Sequence, residues 1–192
     1  MRLETQPFFA LFCCALATAT LFCTLAFAWP KPALLRLPVY VEDRDSPEAK
    51  RAQLEALSRS AKKHAQGDAR LEAFVLAVGY HESRYALRIQ RCECEQHECD
   101  PKRHKDGTIE HRARGLFQVW RIGMPEKEWE ALCGPDGLDR QVKEATRRAR
   151  SALATCRGDV AGAFSAYGGR ACHKRSRTTA ARVDTYRRLG GP

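Results

Sequence analysis

Glu82 stands where an apolar residue is expected. Leu71, Phe74, Val75 and Val78 follow the i, i+3, i+4, i+7 spacing of one helical face, and four residues beyond Val78 that face reaches Glu82. Withdrawal from water disfavours a charged carboxylate and favours its protonated form. A carboxyl group that keeps its proton near neutral pH is what a general acid requires. The competing reading frays the helix at Gly79 and lets Glu82 reach solvent or pair with Arg84 or Arg88.

The cysteines form the second chemically capable set. Cys13, Cys14 and Cys23 lie in an N-terminal apolar run, leaving Cys92, Cys94, Cys99, Cys133, Cys156 and Cys172. An even number in an exported chain predicts disulfides, with the pairing open. The rival is zinc, because His97, His104 and His111 lie near Cys92, Cys94 and Cys99. Thiolates and imidazoles are correct zinc ligands, but Cys-x-Cys is not a standard zinc spacing and no second close pair follows. The expectation is therefore three disulfides, no metal and no cofactor.

These side chains need a frame. Ser46-Pro47 reads as an N-cap with proline at the first helical position, opening a helix to about His64. Gly67 ends it, and the helix leading to Glu82 begins near Asp68. Residues 88–112 are polar and cysteine-rich, with turn signals at Asp100-Pro101 and Asp106-Gly107, and read as an irregular or hairpin-like insertion pinned by disulfides. A short helix follows Pro125 and stops at Gly134. Leu138, Val142, Ala145, Ala149, Ala152 and Cys156 form one apolar stripe, with Arg140, Lys143, Arg147, Arg148 and Arg150 around the rest. Asp159 can cap a helix to Tyr167, and a last helix carries Val183, Tyr186 and Leu189. No stretch is rich in strand signals. The expected fold class is mainly α, with residues 46–192 as one domain.

Composition narrows the function. Of 192 residues, 44% are hydrophobic and 29% charged, which excludes a disordered tail and a polytopic membrane protein. The net charge of +10 lies in residues 140–192, where 13 basic residues face three acidic ones. Such a field attracts anions. Residues 8–28 carry no charge and end on Ala26-Phe27-Ala28, a signal-peptide cleavage signature. The run is also long enough for an uncleaved membrane anchor. Either way residues 29–192 are expected outside the cytoplasm, in the periplasm or cell envelope, with residues 29–45 as a proline-containing linker. Export and disulfides argue against nucleic acid as the partner.

Three strings fall in order along the chain: Tyr80-His81-Glu82-Ser83-Arg84-Tyr85, Arg114-Gly115-Leu116-Phe117-Gln118-Val119, and Ala163-Phe164-Ser165-Ala166-Tyr167-Gly168-Gly169. Together they resemble the lysozyme-like lytic transglycosylases. That family carries Glu-Ser after an apolar helix, a Gly-Leu-Met-Gln-like segment, and Ala-Tyr-Asn-x-Gly. The resemblance spans about Asp68 to Leu189. Phe117 replaces the usual methionine, and Gly168 stands where asparagine is usual. The stretch from Glu82 to Gly115 is longer than in the typical domain.

The resemblance implies a lysozyme-like (α+β) globule that acts, as a monomer, on the glycan strands of peptidoglycan. Glu82 would be the catalytic acid. Ser83 would bond near it and orient it, Gln118 would line the saccharide cleft, and Tyr167 would face the acid from the opposite wall. The family cleaves the β-1,4 bond between N-acetylmuramic acid and N-acetylglucosamine, leaving a 1,6-anhydro end. Goose-type lysozymes share the strings but add an aspartate that positions water, a role open to Glu95, Glu98, Asp100 or Asp106. A third reading is a non-enzymatic exported module that docks its basic helix, residues 140–150, on an anionic surface.

Overall fold

The computed structural model describes Leu34, Leu37 and residues 45–192. The chain divides into Met1–Lys31 and Pro32–Pro192, and only the second unit contains described residues. The expected export segment, residues 1–28, and most of the expected linker lie outside them. Leu34 and Leu37 are buried members of the main apolar core, so part of that linker packs on the domain.

The described residues form seven helices and four short strands. Helix α1 (Pro47–Ala65) starts where Ser46 Oγ accepts the Ala49 N–H at 3.0 Å. Helix α2 (Ala69–Ser83) starts where Asp68 accepts the Leu71 N–H at 3.0 Å. After a single turn, α3 (Leu87–Gln90), come the strands β1 (Pro101–Arg103) and β2 (Ile109–His111), then β3 (Ala113–Arg114) and β4 (Val119–Trp120). Both pairs are antiparallel; the first sets Pro101 against His111, the second Ala113 against Trp120. The chain closes with α4 (Glu126–Ala131), α5 (Gly137–Thr155), α6 (Val160–Tyr167) and α7 (Thr179–Arg188). The domain is mainly helical, as its periodicity predicts.

Helix α2 is the centre of the packing, touching α1, α5 and α7, while α6 rests on α5 and α7. Its residues from Ala73 to Tyr80 are all buried. Phe74 stacks on Phe164 of α6 with ring centroids 4.2 Å apart. Helix α5 buries Val142, Ala145 and Ala149 completely, and these small side chains let neighbouring helices come close. Asp139 pins α5 to α1: Ser60 Oγ donates to it at 2.7 Å, Lys63 Nζ at 3.0 Å, and His64 Nε2 lies 3.0 Å away. Burial pushes the Asp139 carboxyl up, but these bonds outweigh it and hold it at about 2.

All six cysteines beyond the N-terminal run are paired, as Cys92–Cys133, Cys94–Cys99 and Cys156–Cys172. The first joins the insertion to the end of α4, the second closes a small loop within it, and the third ties α5 to the α6–α7 connection. Such bonds belong to an oxidising, exported environment. With Cys92, Cys94 and Cys99 committed in this way, the zinc alternative loses its thiolates. Among the described residues no helix is long and apolar enough to cross a membrane.

Candidate functional site

Glu82 lies in the last turn of α2, where the buried stripe of Leu71, Phe74, Val75 and Val78 runs out to the surface. Its side chain is 25% exposed. The partner is neither Arg84 nor Arg88. Arg84 lies over the Tyr80 ring at 4.4 Å, and Arg88 pairs with Glu98. Arg182 of α7 donates from Nη1 to Glu82 Oε1 at 2.7 Å. One turn further along α7, Thr185 Oγ1 sits 2.9 Å from His81 Nε2. Two residues on α7 therefore hold His81 and Glu82, the two consecutive polar residues just before the end of α2. Burial, then the charges of Arg182 and Arg84, pull the His81 pKa down to about 4, so the imidazole is neutral at pH 7.

The chain leaves α2 through a strained turn. Arg84 and Tyr85 both adopt positive φ, 51° and 57°, which β-carbon-bearing residues rarely do. Buried contacts hold them there. Tyr85 is fully buried, and its hydroxyl donates to Leu76 O at 2.5 Å. Its carbonyl accepts from the buried Lys50 ammonium of α1. Ser83 Oγ donates to Gly79 O at 3.0 Å and accepts the Tyr85 N–H at 3.2 Å. Both bonds of Ser83 thus serve the backbone beside Glu82 rather than its carboxylate. Strain of this kind collects where a site must be held in one geometry.

Gln118 sits in the turn between β3 and β4, with φ of 47° and its amide donating to Gly115 O at 3.1 Å. The turn is fastened from below by Gln141 of α5, which is fully buried. Gln141 Oε1 accepts the Leu116 N–H at 2.9 Å, and its Nε2 donates to Gln90 O and Leu132 O at 2.8 Å each. Gly115 has φ of 70°, and a side chain there would collide with Gln141. Phe117 packs so closely on Gly79 of α2 that a methyl group at Gly79 would lie 2.8 Å from its ring. The glycine in α2 thus brings the Gln118 turn against the helix that carries Glu82.

Tyr167, the last residue of α6, packs on Phe74 with ring centroids 6.3 Å apart. Its hydroxyl is buried and has no hydrogen-bond partner among the described residues. Burial raises its pKa; the charges of Glu82 and Glu144 act in the same direction, and those of Arg148 and Arg182 oppose them. Glu82 and Tyr167, 85 positions apart in the sequence, thus belong to one electrostatic neighbourhood. Glu144 of α5 is the second acid there, bonded to Arg147 and Arg148 at 2.7 Å.

The four insertion acids that could position water, Glu95, Glu98, Asp100 and Asp106, are engaged elsewhere. Glu98 is held by Arg88, Asp100 is paired with Arg112, and Asp106 accepts from the backbone and hydroxyl of Thr108. Glu95 lies 4.0 Å from Arg88. Sequence reasoning missed Arg182, Lys50, Gln141 and Glu144. The first three are placed by packing between distant segments. Glu144 had a weak signal, as the lone acid within the basic run of α5. Among the described residues no group of three or more His, Cys, Asp or Glu side chains is arranged to hold a metal ion.

Comparison of the chain with protein families, with characterised proteins and with solved structures finds no match.

Proposed function

We propose that the protein is an exported peptidoglycan lytic transglycosylase with a lysozyme-like fold, and that Glu82 is its single general acid and base. One observation carries the reading. The acid that ends the buried stripe of α2 stands on the same helix face as Phe74, against which packs a tyrosine whose buried hydroxyl has no partner among the described residues. A buried hydroxyl without a partner is costly, and a substrate group that bonds to it removes the cost.

Glu82 gives its proton to the glycosidic oxygen as the C1–O bond breaks, and the substrate's acetamido group supports the electron-poor carbon. The Glu82 carboxylate then takes the proton of the muramic acid 6-hydroxyl as O6 bonds to C1. The anhydro ring forms, and Glu82 is again protonated. Arg182 occupies Oε1 in the free protein, so the entering glycan must draw the guanidinium aside before that oxygen can donate. Tyr167 meets the sugar from the opposite wall, and Ser83 keeps the turn after Glu82 in place.

Hydrolysis is the second reading, favoured by Glu144, a half-buried acid that Arg148 links to β4 just beyond Gln118. A second carboxylate near the first can activate water.

Purified protein incubated with peptidoglycan is expected to release soluble fragments with 1,6-anhydro ends. Reducing ends would establish hydrolysis instead. Glu82→Gln keeps the size of the side chain and removes the transferable proton, so the rate should fall at least ~100-fold. A folded Glu82→Gln protein that still cuts at the normal rate would remove Glu82 from the mechanism. Wild-type protein that binds peptidoglycan and never cuts it would establish the binding-module reading.

A further inference from the structure

Helix α5 presents a second stripe, separate from its apolar one. Arg140, Lys143, Arg147 and Arg150 are spaced by three, four and three residues and so lie along one face. All four line a single cavity of about 460 Å³, which α1 closes with Lys63 and His64. The cavity holds five lysine and arginine side chains against two acids, Glu128 and Glu144. Several of these charges are committed. Lys63 and His64 face Asp139, and Arg147 is bonded to Glu144. Arg140 and Lys143 are exposed and have no side-chain partner among the described residues. Among the described residues Arg150 makes only a long bond of 3.4 Å to His64 O.

A solvated basic face would lie on the convex outside of a helix. Here the stripe forms a concave wall, where charges of one sign focus their field on whatever enters. The wall is not purely polar, because the half-buried Met124 supplies apolar surface beside the cations. The cavity also adjoins the candidate site. Glu144 lines it and is bonded to Arg148, whose guanidinium also donates to Trp120 O of β4, two residues beyond Gln118.

We propose that this cavity receives the peptide stem of the glycan strand that lies across Glu82, with Arg140 and Lys143 pairing with stem carboxylates. It rests on peptidoglycan being the substrate, and not on Glu82 being catalytic. A stem carries carboxylates along a short chain with small alkyl side chains. That is the pattern the wall offers in reverse, cations beside apolar contacts. A strand stripped of its stems keeps only the lactyl carboxylate of muramic acid, held close against the sugar ring, and has no chain to extend into the cavity. The protein would therefore select strands that still carry acidic stems.

Binding rather than cutting tests this. The full chain carrying Glu82→Gln is titrated with soluble strands bearing their stems and with strands stripped by an amidase. Stemmed strands should bind about tenfold more tightly at low salt, as expected for charge-assisted bonds, and the advantage should shrink as salt rises. Adding Arg140→Ala and Lys143→Ala should equalise the two glycans, and Lys143→Glu alone should do so in large part. These residues are exposed, so the melting temperature should not change.

Equal binding of both glycans by the parent, or failure to bind either, would overturn the proposal. So would a preference that survives both substitutions. A third arm uses vesicles of phosphatidylglycerol. If the double variant loses vesicle binding yet keeps its stem preference, the cavity serves a membrane surface and the proposal fails. If stem preference depends on Arg140 and Lys143 while wild-type protein never cuts, the catalytic reading fails and this one stands.

Discussion

The helical frame and the insertion at residues 88–112 are held together by different means. In the frame, α1, α2, α5, α6 and α7 share one large apolar core, with Phe74, Val78, Val142 and Ala163 at zero exposure. The insertion has a cluster of its own consisting only of Ala86, Ile89 and Cys99, with Cys94 packed against it. What holds the insertion is two disulfides and the pairs Arg88–Glu98 and Arg112–Asp100. A segment with so little apolar surface to bury cannot offset its own ordering entropy by packing. The covalent links restrict the unfolded chain instead. The frame should therefore unfold as one unit, whereas the insertion can open by itself.

The largest effect should come from the frame. Phe74→Ala empties the centre of α2 and removes the stack on Phe164, and should cost about 3–5 kcal/mol in a denaturant titration. A loss below about 1 kcal/mol would mean that the core described here is not the stabilising one.

Next comes the joint between the two regions. Gln141→Ala leaves the Leu116 N–H and the carbonyls of Gln90 and Leu132 buried without partners. That should cost about 2–4 kcal/mol. It should also loosen the Gln118 turn, read as faster amide exchange at Leu116. An unchanged exchange rate there would show that the turn holds itself.

A smaller and more local effect is expected in the insertion. Replacing Cys94 and Cys99 together with alanine opens a five-residue separation. Short loops gain least from closure, so the global cost should be about 2 kcal/mol or less. Exchange should rise across residues 93–112 while the amides of α2 stay protected. Loss of protection in α2 would mean that frame and insertion unfold together.

The last effect is absent at neutral pH and develops only in acid. Folded His81 binds its proton only near pH 4, against an ordinary value of 6.5. Between these values the unfolded chain takes up a proton that the folded chain refuses. Stability should therefore fall as pH drops from about 6.5 to about 4, and His81 should add no further loss below that. His81→Gln should flatten this part of the curve. An unaltered slope would place the pH dependence elsewhere.

What could be read in advance follows from how far each interaction reaches along the chain. The caps at Ser46 and Asp68 join residues three apart, and the stripes of α2 and α5 join residues three or four apart. Helix geometry alone closes contacts of that length, so the residues declare them. The position of Glu82 at the end of the α2 stripe is legible for the same reason. The strands β3 and β4 were not legible, because each has two residues and depends on Gln141 to hold the turn between them.

The sequence by itself determined six of the seven helical segments, all but the single turn at Leu87–Gln90, together with the even set of cysteines, the basic C-terminal quarter and the face on which Glu82 falls. Only the tertiary structure decided which residues meet. Arg182 reaches Glu82 across 100 positions, and Lys50 reaches Tyr85 across 35. Cys92 joins Cys133 rather than its near neighbours Cys94 or Cys99. No local preference distinguishes these partners from the other arginines, lysines and cysteines of the chain. The choice is made when α7 packs on α2 and the insertion folds back on α4, because burial then leaves each polar group only the partner already beside it.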